Sequence, residues 1–193
     1  IKLIQDYSDR YEFKFIYANT GQEHEETLIF LDKIDRQFGL GVIWLEAVIN
    51  PEKNKGTTHK IIDFETASRN GEPFEEMIKV YGIPNQDWPH CTRELKLQVM
   101  ESYIKSIGWK NEFRAVGIRI DEIKRVCEKA SERNILYPLI DFFPTEKDDV
   151  LDYFSGKSYD LNLPEHLGNC VTCWKKSDKK LIAILRDEPE RFD

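Results

Sequence analysis

Three cysteines in patterned settings are the residues best suited to chemistry in this chain. Cys170 and Cys173 form a CxxC pair in GNCVTCWKK. That spacing brings two thiolates within reach of one metal ion or cluster, and it equally suits a reversible disulfide. Cys91 lies far upstream in PHCTRELK, just before a helical pattern, where the N-terminal helix dipole favours a thiolate. Together the three can hold three corners of a four-iron (4Fe-4S) cluster and leave one iron open, or they can hold zinc with a histidine. His90 and His166 stand in position to be that fourth ligand, against the plainer role of structural hydrogen-bonders. Cys127 falls in a charged, helix-like segment away from the others and reads as a small, partly buried residue. The bland reading of the whole set is reduced, inert thiols.

Anion-binding signals form a second group. Asn19-Thr20-Gly21 follows an apolar run and precedes a helical one, which puts backbone amides and a helix N-terminus at the carboxyl end of a strand. Arg119 and Asp121, in Gly117-Ile-Arg-Ile-Asp-Glu122, leave another strand candidate; the arginine can grip a phosphate or sulfate while the acid orients it or caps the next helix. Arg69, beside the turn-forming Asn70-Gly71, offers one more anion contact. Lys175, Lys176, Lys179 and Lys180 follow the CxxC pair as a local positive patch or a solvated helix face.

The elements that must position these residues alternate between strand and helix patterns, in the order of a largely parallel sheet covered by helices. Strands are expected at Phe13 to Ala18, Gly41 to Ile49, His59 to Phe64 (at a sheet edge), Phe113 to Ile118, and the short YPLI. Helices are expected from Glu23 to Phe38 with Gly39 as the stop, over PFEEMIKVYG, from Arg93 to Ile107 with Gly108 as cap, from Asp121 to Arg133, from Thr145 to Phe154, and from Lys175 to Arg186. IPNQDWPHCT reads as an ordered loop that delivers His90 and Cys91 to a fixed place.

With 193 residues, 40% hydrophobic and 12% aromatic, the chain has material for one core but not comfortably two, so residues 1–193 are expected to form a single domain. A net charge of −7 argues against non-specific attraction along a polyanion. No apolar run is long enough to span a bilayer, and IKLIQDYSDR has charges where a signal peptide would carry its apolar stretch. The expectation is a soluble cytoplasmic protein with reduced thiols and no membrane partner.

In their order the segments resemble the phosphoadenylyl-sulfate (PAPS) reductase family of the adenine-nucleotide α-hydrolase, or PP-loop ATP pyrophosphatase, superfamily. Ala18-Asn-Thr-Gly-Gln-Glu-His-Glu-Glu-Thr27 is similar to the family's Asp-Thr-Gly segment followed by Pro-Glu-Thr, and Gly117-Ile-Arg-Ile-Asp-Glu122 to its Gly-Ile-Arg-x-Asp-Glu stretch. Tyr137-Pro-Leu-Ile-Asp141 and the later Asp-Val150 are similar to its Pro-Leu-x-Asp-Trp and Asp-Val run. The resemblance implies an α/β fold of three layers, a mostly parallel twisted sheet with helices on both faces. It also implies binding of ATP, adenylyl sulfate or phosphoadenylyl sulfate, with Mg accompanying the nucleotide, near Asn19, Thr20 and Gly21, with Arg119 reaching the phosphates or sulfate. Cys91, Cys170 and Cys173 would ligate an iron–sulfur cluster, with zinc the alternative, and a sulfur donor or electron-donor protein would serve the reaction.

The chain departs from the family's pattern at three places. The family's adjacent Cys-Cys pair reads His90-Cys91, which resembles the adenylating sulfur-transfer members, whose acceptor is a nucleic acid. The phosphate-gripping Ser-Gly-Gly loop should precede the Phe13 strand and nothing before Tyr11 supplies it; with Ile1 as the first residue, the expectation is a sequence lacking its phosphate-loop strand. The reductases' terminal nucleophilic cysteine has no counterpart in EPERFD, so the catalytic residue is left unassigned. The expected activity is therefore sulfur chemistry on an adenine nucleotide, by reduction or by adenylating thiotransfer. A zinc-stapled, non-catalytic nucleotide- or partner-binding domain, monomeric or oligomeric, is the reading from another class.

Overall fold

The computed structural model describes residues 2–192; Ile1 and Asp193 lie outside them. In chain order the elements are α1 (Lys2–Tyr7), β1 (Ile16–Asn19), α2 (Glu25–Phe38), β2 (Ile43–Ile49), β3 (Thr57–Ile62), α3 (Glu72–Tyr81), α4 (His90–Thr92), a π-helical turn (Arg93–Leu97), α5 (Gln98–Ser106), β4 (Arg114–Ala115), β5 (Ile135–Leu136), α6 (Pro138–Asp141), α7 (Lys147–Ser155) and α8 (Asp178–Asp187). Tight 3-10 turns join several of them. The chain divides into two compact units, one of Ile1–Ser106 with Leu161–Asp193 and the other of Ile107–Asp160.

In the first unit β2 is the central strand. β1 pairs with it in parallel, Ile16 opposite Ile43 through Asn19 opposite Glu46, and β3 pairs on the other side in antiparallel register, with Glu46 opposite Lys60. β3 is thus the expected edge strand. The apolar run in β2 buries Trp44, Leu45 and Ala47, and Leu28 of α2 packs with Trp44 and Ala67 against Tyr17, Leu31, Val42, Ile62 and Phe64. Trp44 meets the Tyr17 ring edge-on at 4.9 Å between centroids. His24 caps α2 by accepting the Glu26 N–H on Nδ1, and Gly39, at φ +58°, ends the helix in a left-handed conformation that costs glycine little.

A smaller core lies at the end of the chain, where Leu167, Val171 and Ile184 pack together with Leu163 and Leu181. Val171, inside the CxxC sequence, is fully buried there. The final helix starts at Asp178 rather than Lys175, because the Lys176 N–H bonds to the Cys173 carbonyl and extends the cysteine turn first.

The second unit carries the larger departures from the expected elements. β4 and β5 form a two-stranded parallel ladder only two residues long, in place of a strand over 113–118. The polar stretch 121–133 is not one helix: Ile120–Arg125 and Ser131–Arg133 are separate 3-10 turns, broken internally where Glu122 leaves helical geometry. YPLI is not a strand either. Pro138 lacks the N–H a ladder needs but fits the first turn of a helix, so Pro138–Asp141 coils as α6. α7 begins on a reciprocal capping box between Glu146 and Asp149. The architecture is α/β, with small parallel and mixed sheets accompanied by helices. Among the described residues no helix is long and apolar enough to cross a membrane.

Candidate functional site

The carboxyl end of β1 and the middle of β2 share a buried polar network. Asn19 and Glu46, ladder partners, are both fully buried, and the Asn19 amide donates to Glu46 Oε1 at 2.7 Å and to the Ser68 carbonyl at 2.8 Å. Ser68 returns to the same carboxylate, its N–H donating to Oε1 at 2.6 Å and its hydroxyl to Oε2 at 3.0 Å. Lys60, one strand over, places its ammonium 2.8 Å from Oε2. Burial opposes the charge on Glu46, but the hydrogen bonds from Lys60, Ser68 and Asn19 outweigh it and hold the carboxyl below its ordinary pKa. The row Asn19–Glu46–Lys60 crosses all three strands and ties the β1 turn to the 67–71 loop.

Beyond Asn19 the chain turns at Thr20-Gly21. Glu23 accepts from the Thr20 N–H at 3.0 Å and from its hydroxyl at 2.7 Å, so a second buried carboxylate closes the turn. Gly21 has φ +76°, and a Cβ there would stand 3.0 Å from Pro73 Cδ and 3.1 Å from the Gly71 backbone; only glycine lets the turn and the start of α3 come this close. Gly71, at φ +82°, admits the Gln22 side chain on the same principle.

The cysteine turn docks directly on this segment. Glu23 and Cys170 form an antiparallel bridge, and the Val171 N–H donates to the Gln22 carbonyl at 2.8 Å. The Cys170 thiol donates to Glu23 Oε1 at 3.6 Å and also lies 3.6 Å from Thr20 Oγ1. The Lys96 ammonium is 3.7 Å from Glu23 Oε1. Burial first, and then the Glu23 charge, push the Cys170 thiol up to about 11. The Tyr17 hydroxyl is buried with no hydrogen-bond partner among the described residues, and burial followed by the charges of Glu23, Cys170 and Glu46 raises its pKa. An orphaned buried donor of this kind suits a polar atom brought by a ligand.

Of the sequence-selected residues, Asn19, Thr20, Gly21 and Cys170 come together, with Cys173 one turn away, its N–H bonded to the Cys170 carbonyl at 3.2 Å. Arg69 lies in the same unit, but its guanidinium is engaged by Glu25 at 2.7 Å and by the Ala67 and Phe64 carbonyls. Arg119 and Asp121 are in the second unit and pair with each other through two 2.9 Å bonds, which raises the arginine's pKa and lowers the acid's. Cys127 is also in that unit, its N–H donating to the Tyr137 hydroxyl at 2.9 Å. Lys176 donates to the His166 carbonyl, Lys180 pairs with Glu165 and Lys175 lies over the Trp174 ring at 5.1 Å, so three of the four lysines after the cysteines are engaged locally.

Cys91 sits in α4 after His90, which is stacked on Trp88 at 6.1 Å and tilted on Tyr81 at 5.5 Å. His166 Nε2 faces Asp187 at 3.1 Å. Among the described residues no three His, Cys, Asp or Glu side chains are grouped so as to hold a metal ion. The Cys170 thiol lies against Glu23, and Cys91 is carried by α4 rather than by the cysteine turn. Glu46, Glu23, Ser68 and Tyr17 escaped the sequence reading. A signal for the first two existed: a lone carboxylate inside the apolar IWLEAVI run must find partners, and Thr20-Gly-Gln-Glu23 has the spacing of a capping box.

The chain is similar to proteins of a bacteriophage and an archaeon. It is 35% identical over 178 residues to an uncharacterized nin region protein, ORF290, of Escherichia phage lambda, covering 90% of this chain and 60% of that protein. It is 28% identical over 120 residues to an uncharacterized protein of Methanocaldococcus jannaschii, covering 62% of this chain and 20% of that protein. The chain therefore spans less than two thirds of either relative. No protein-family model matches it, and no solved structure matches it.

Proposed function

We propose that this chain is the nucleotide-binding part of an enzyme of the PAPS reductase class, with an adenine nucleotide held at the Asn19–Gly21 turn and sulfur chemistry carried out beside it. One observation supports the reading: the CxxC turn is bonded onto the turn that ends a parallel strand, which puts a thiol where ligands of α/β sheets tend to bind. The glycine pair Gly21 and Gly71 allows close backbone approach, and the Tyr17 hydroxyl supplies a donor without a partner. The three-layer PP-loop architecture belongs to this proposal, as does cytoplasmic location.

Supplying phosphoadenylyl sulfate with a dithiol, or ATP with a nucleic-acid acceptor and a sulfide source, separates the two forms of the reaction. Sulfite release identifies a reductase, and pyrophosphate release with sulfur transfer identifies an adenylating thiotransferase. A protein that binds the nucleotide and releases neither product is a binding domain, and the enzymatic part of the proposal is then wrong.

A further inference from the structure

The CxxC pair sits beside the candidate nucleotide turn, with Cys170 in contact with the residues that close it. Its surroundings are specific. Val171 anchors the turn in the Leu167–Ile184 core, leaving Cys170 and Cys173 half-buried on either side of it. Cys170 contacts both Thr20 and Glu23, the residues that close the candidate nucleotide turn, while the Cys173 N–H folds back on the Cys170 carbonyl. A change at the Cys170 sulfur is thus felt two bonds away at the Thr20 amide, which donates to the same Glu23 carboxylate.

We infer that Cys170 and Cys173 form a reversible redox-modification site whose state is read by the Thr20–Glu23 turn. The co-reactant is a low-molecular-weight disulfide, RSSR. One thiolate attacks RSSR, forming a mixed disulfide and expelling one RS⁻; the second attacks the mixed disulfide and expels the other. The two protein thiols lose two electrons and two protons in total, an intrachain Cys170–Cys173 disulfide forms, and RSSR is reduced to two RSH. The oxidised Cys170 has no S–H to donate, so Glu23 loses that bond and the turn loses one of its fastenings to the cysteine segment. A dithiol reverses the change.

The inference rests on the nucleotide reading only for its effect on affinity, and the test has one arm that does not use nucleotide. The full chain is treated with oxidised glutathione or with dithiothreitol, and the disulfide is located by peptide mass mapping. Amide hydrogen exchange is then followed at Thr20 and Val171, and ATP affinity is measured by calorimetry. Expected are an intrachain Cys170–Cys173 bond, exchange about tenfold faster at the Thr20 amide, and ATP binding about fivefold weaker, the scale of one lost hydrogen bond. Cys173→Ser molecules that carry no glutathione adduct on Cys170 should show none of these responses. Oxidation that leaves only glutathione adducts, exchange unchanged by oxidation, a full response in adduct-free Cys173→Ser, or iron and sulfide bound to the cysteines would each overturn the inference. If neither form binds ATP but exchange still responds, the nucleotide reading fails and the redox site stands.

Discussion

Asn19 and Glu46 are paired twice, once as neighbours in the parallel β1–β2 ladder and again side chain to side chain, the buried amide donating to the buried carboxylate at 2.7 Å. The second bond makes the strand-end turn part of the sheet. Because Glu46 also binds Ser68 and Lys60, removing it would strand several donors at once. Glu46→Ala is expected to cost about 3 kcal/mol of stability in urea unfolding, the scale of breaking a buried charged network.

The same residue gives a pH dependence with a definite sign. Its folded pKa is held below the ordinary 4.5, so its stabilisation is present above that value and is lost as pH falls through the folded pKa. Acid unfolding of Glu46→Gln should therefore show a shallower loss of stability below pH 4.5 than the parent protein, measured by thermal melting across the acid range.

Gly21 and Gly71 both have positive φ, but what surrounds them differs. A Cβ on Gly21 would press on backbone and Pro73, whereas one on Gly71 would meet the movable end of Gln22. Gly21→Ala is expected to destabilise by about 2 to 3 kcal/mol and Gly71→Ala by about 1 kcal/mol, with Gln22→Ala relieving part of the second and none of the first. Denaturation midpoints of the three variants and the Gly71→Ala/Gln22→Ala pair check the order.

Cys170 is held protonated, first by burial and then by the Glu23 charge, at about 11 against an ordinary 9.0. Its alkylation by iodoacetamide should keep climbing between about pH 8 and about pH 10, since only the thiolate reacts. In Glu23→Gln the rise should come at lower pH, because the like charge is gone. Peptide-resolved mass spectrometry gives the rate at this cysteine alone.

The first unit was the more legible part of the chain. The β1, α2 and β2 patterns each have one dominant period and glycine or turn residues at their ends, and the structure follows them within a few residues. The second unit was not, because its elements are two to nine residues long and are set by turn chemistry: Pro138 converts an apolar run into a helix, and Glu122 breaks a polar one. At the site, turn residues and cysteines are visible by type. That Cys170 reaches Thr20 across 150 positions of sequence, or that Arg69 turns inward to Glu25, depends on tertiary packing that no local pattern encodes.

Calorimetric titration of the full chain with ATP and phosphoadenylyl sulfate, beside a Thr20→Ala variant shown to be folded and a Thr20→Ser control, tests nucleotide recognition at the β1 turn most directly. Saturable binding of at least one of the two nucleotides, weakened about tenfold in Thr20→Ala and largely kept in Thr20→Ser, is the result expected. Absence of binding to both nucleotides, or binding indifferent to Thr20→Ala, would contradict it.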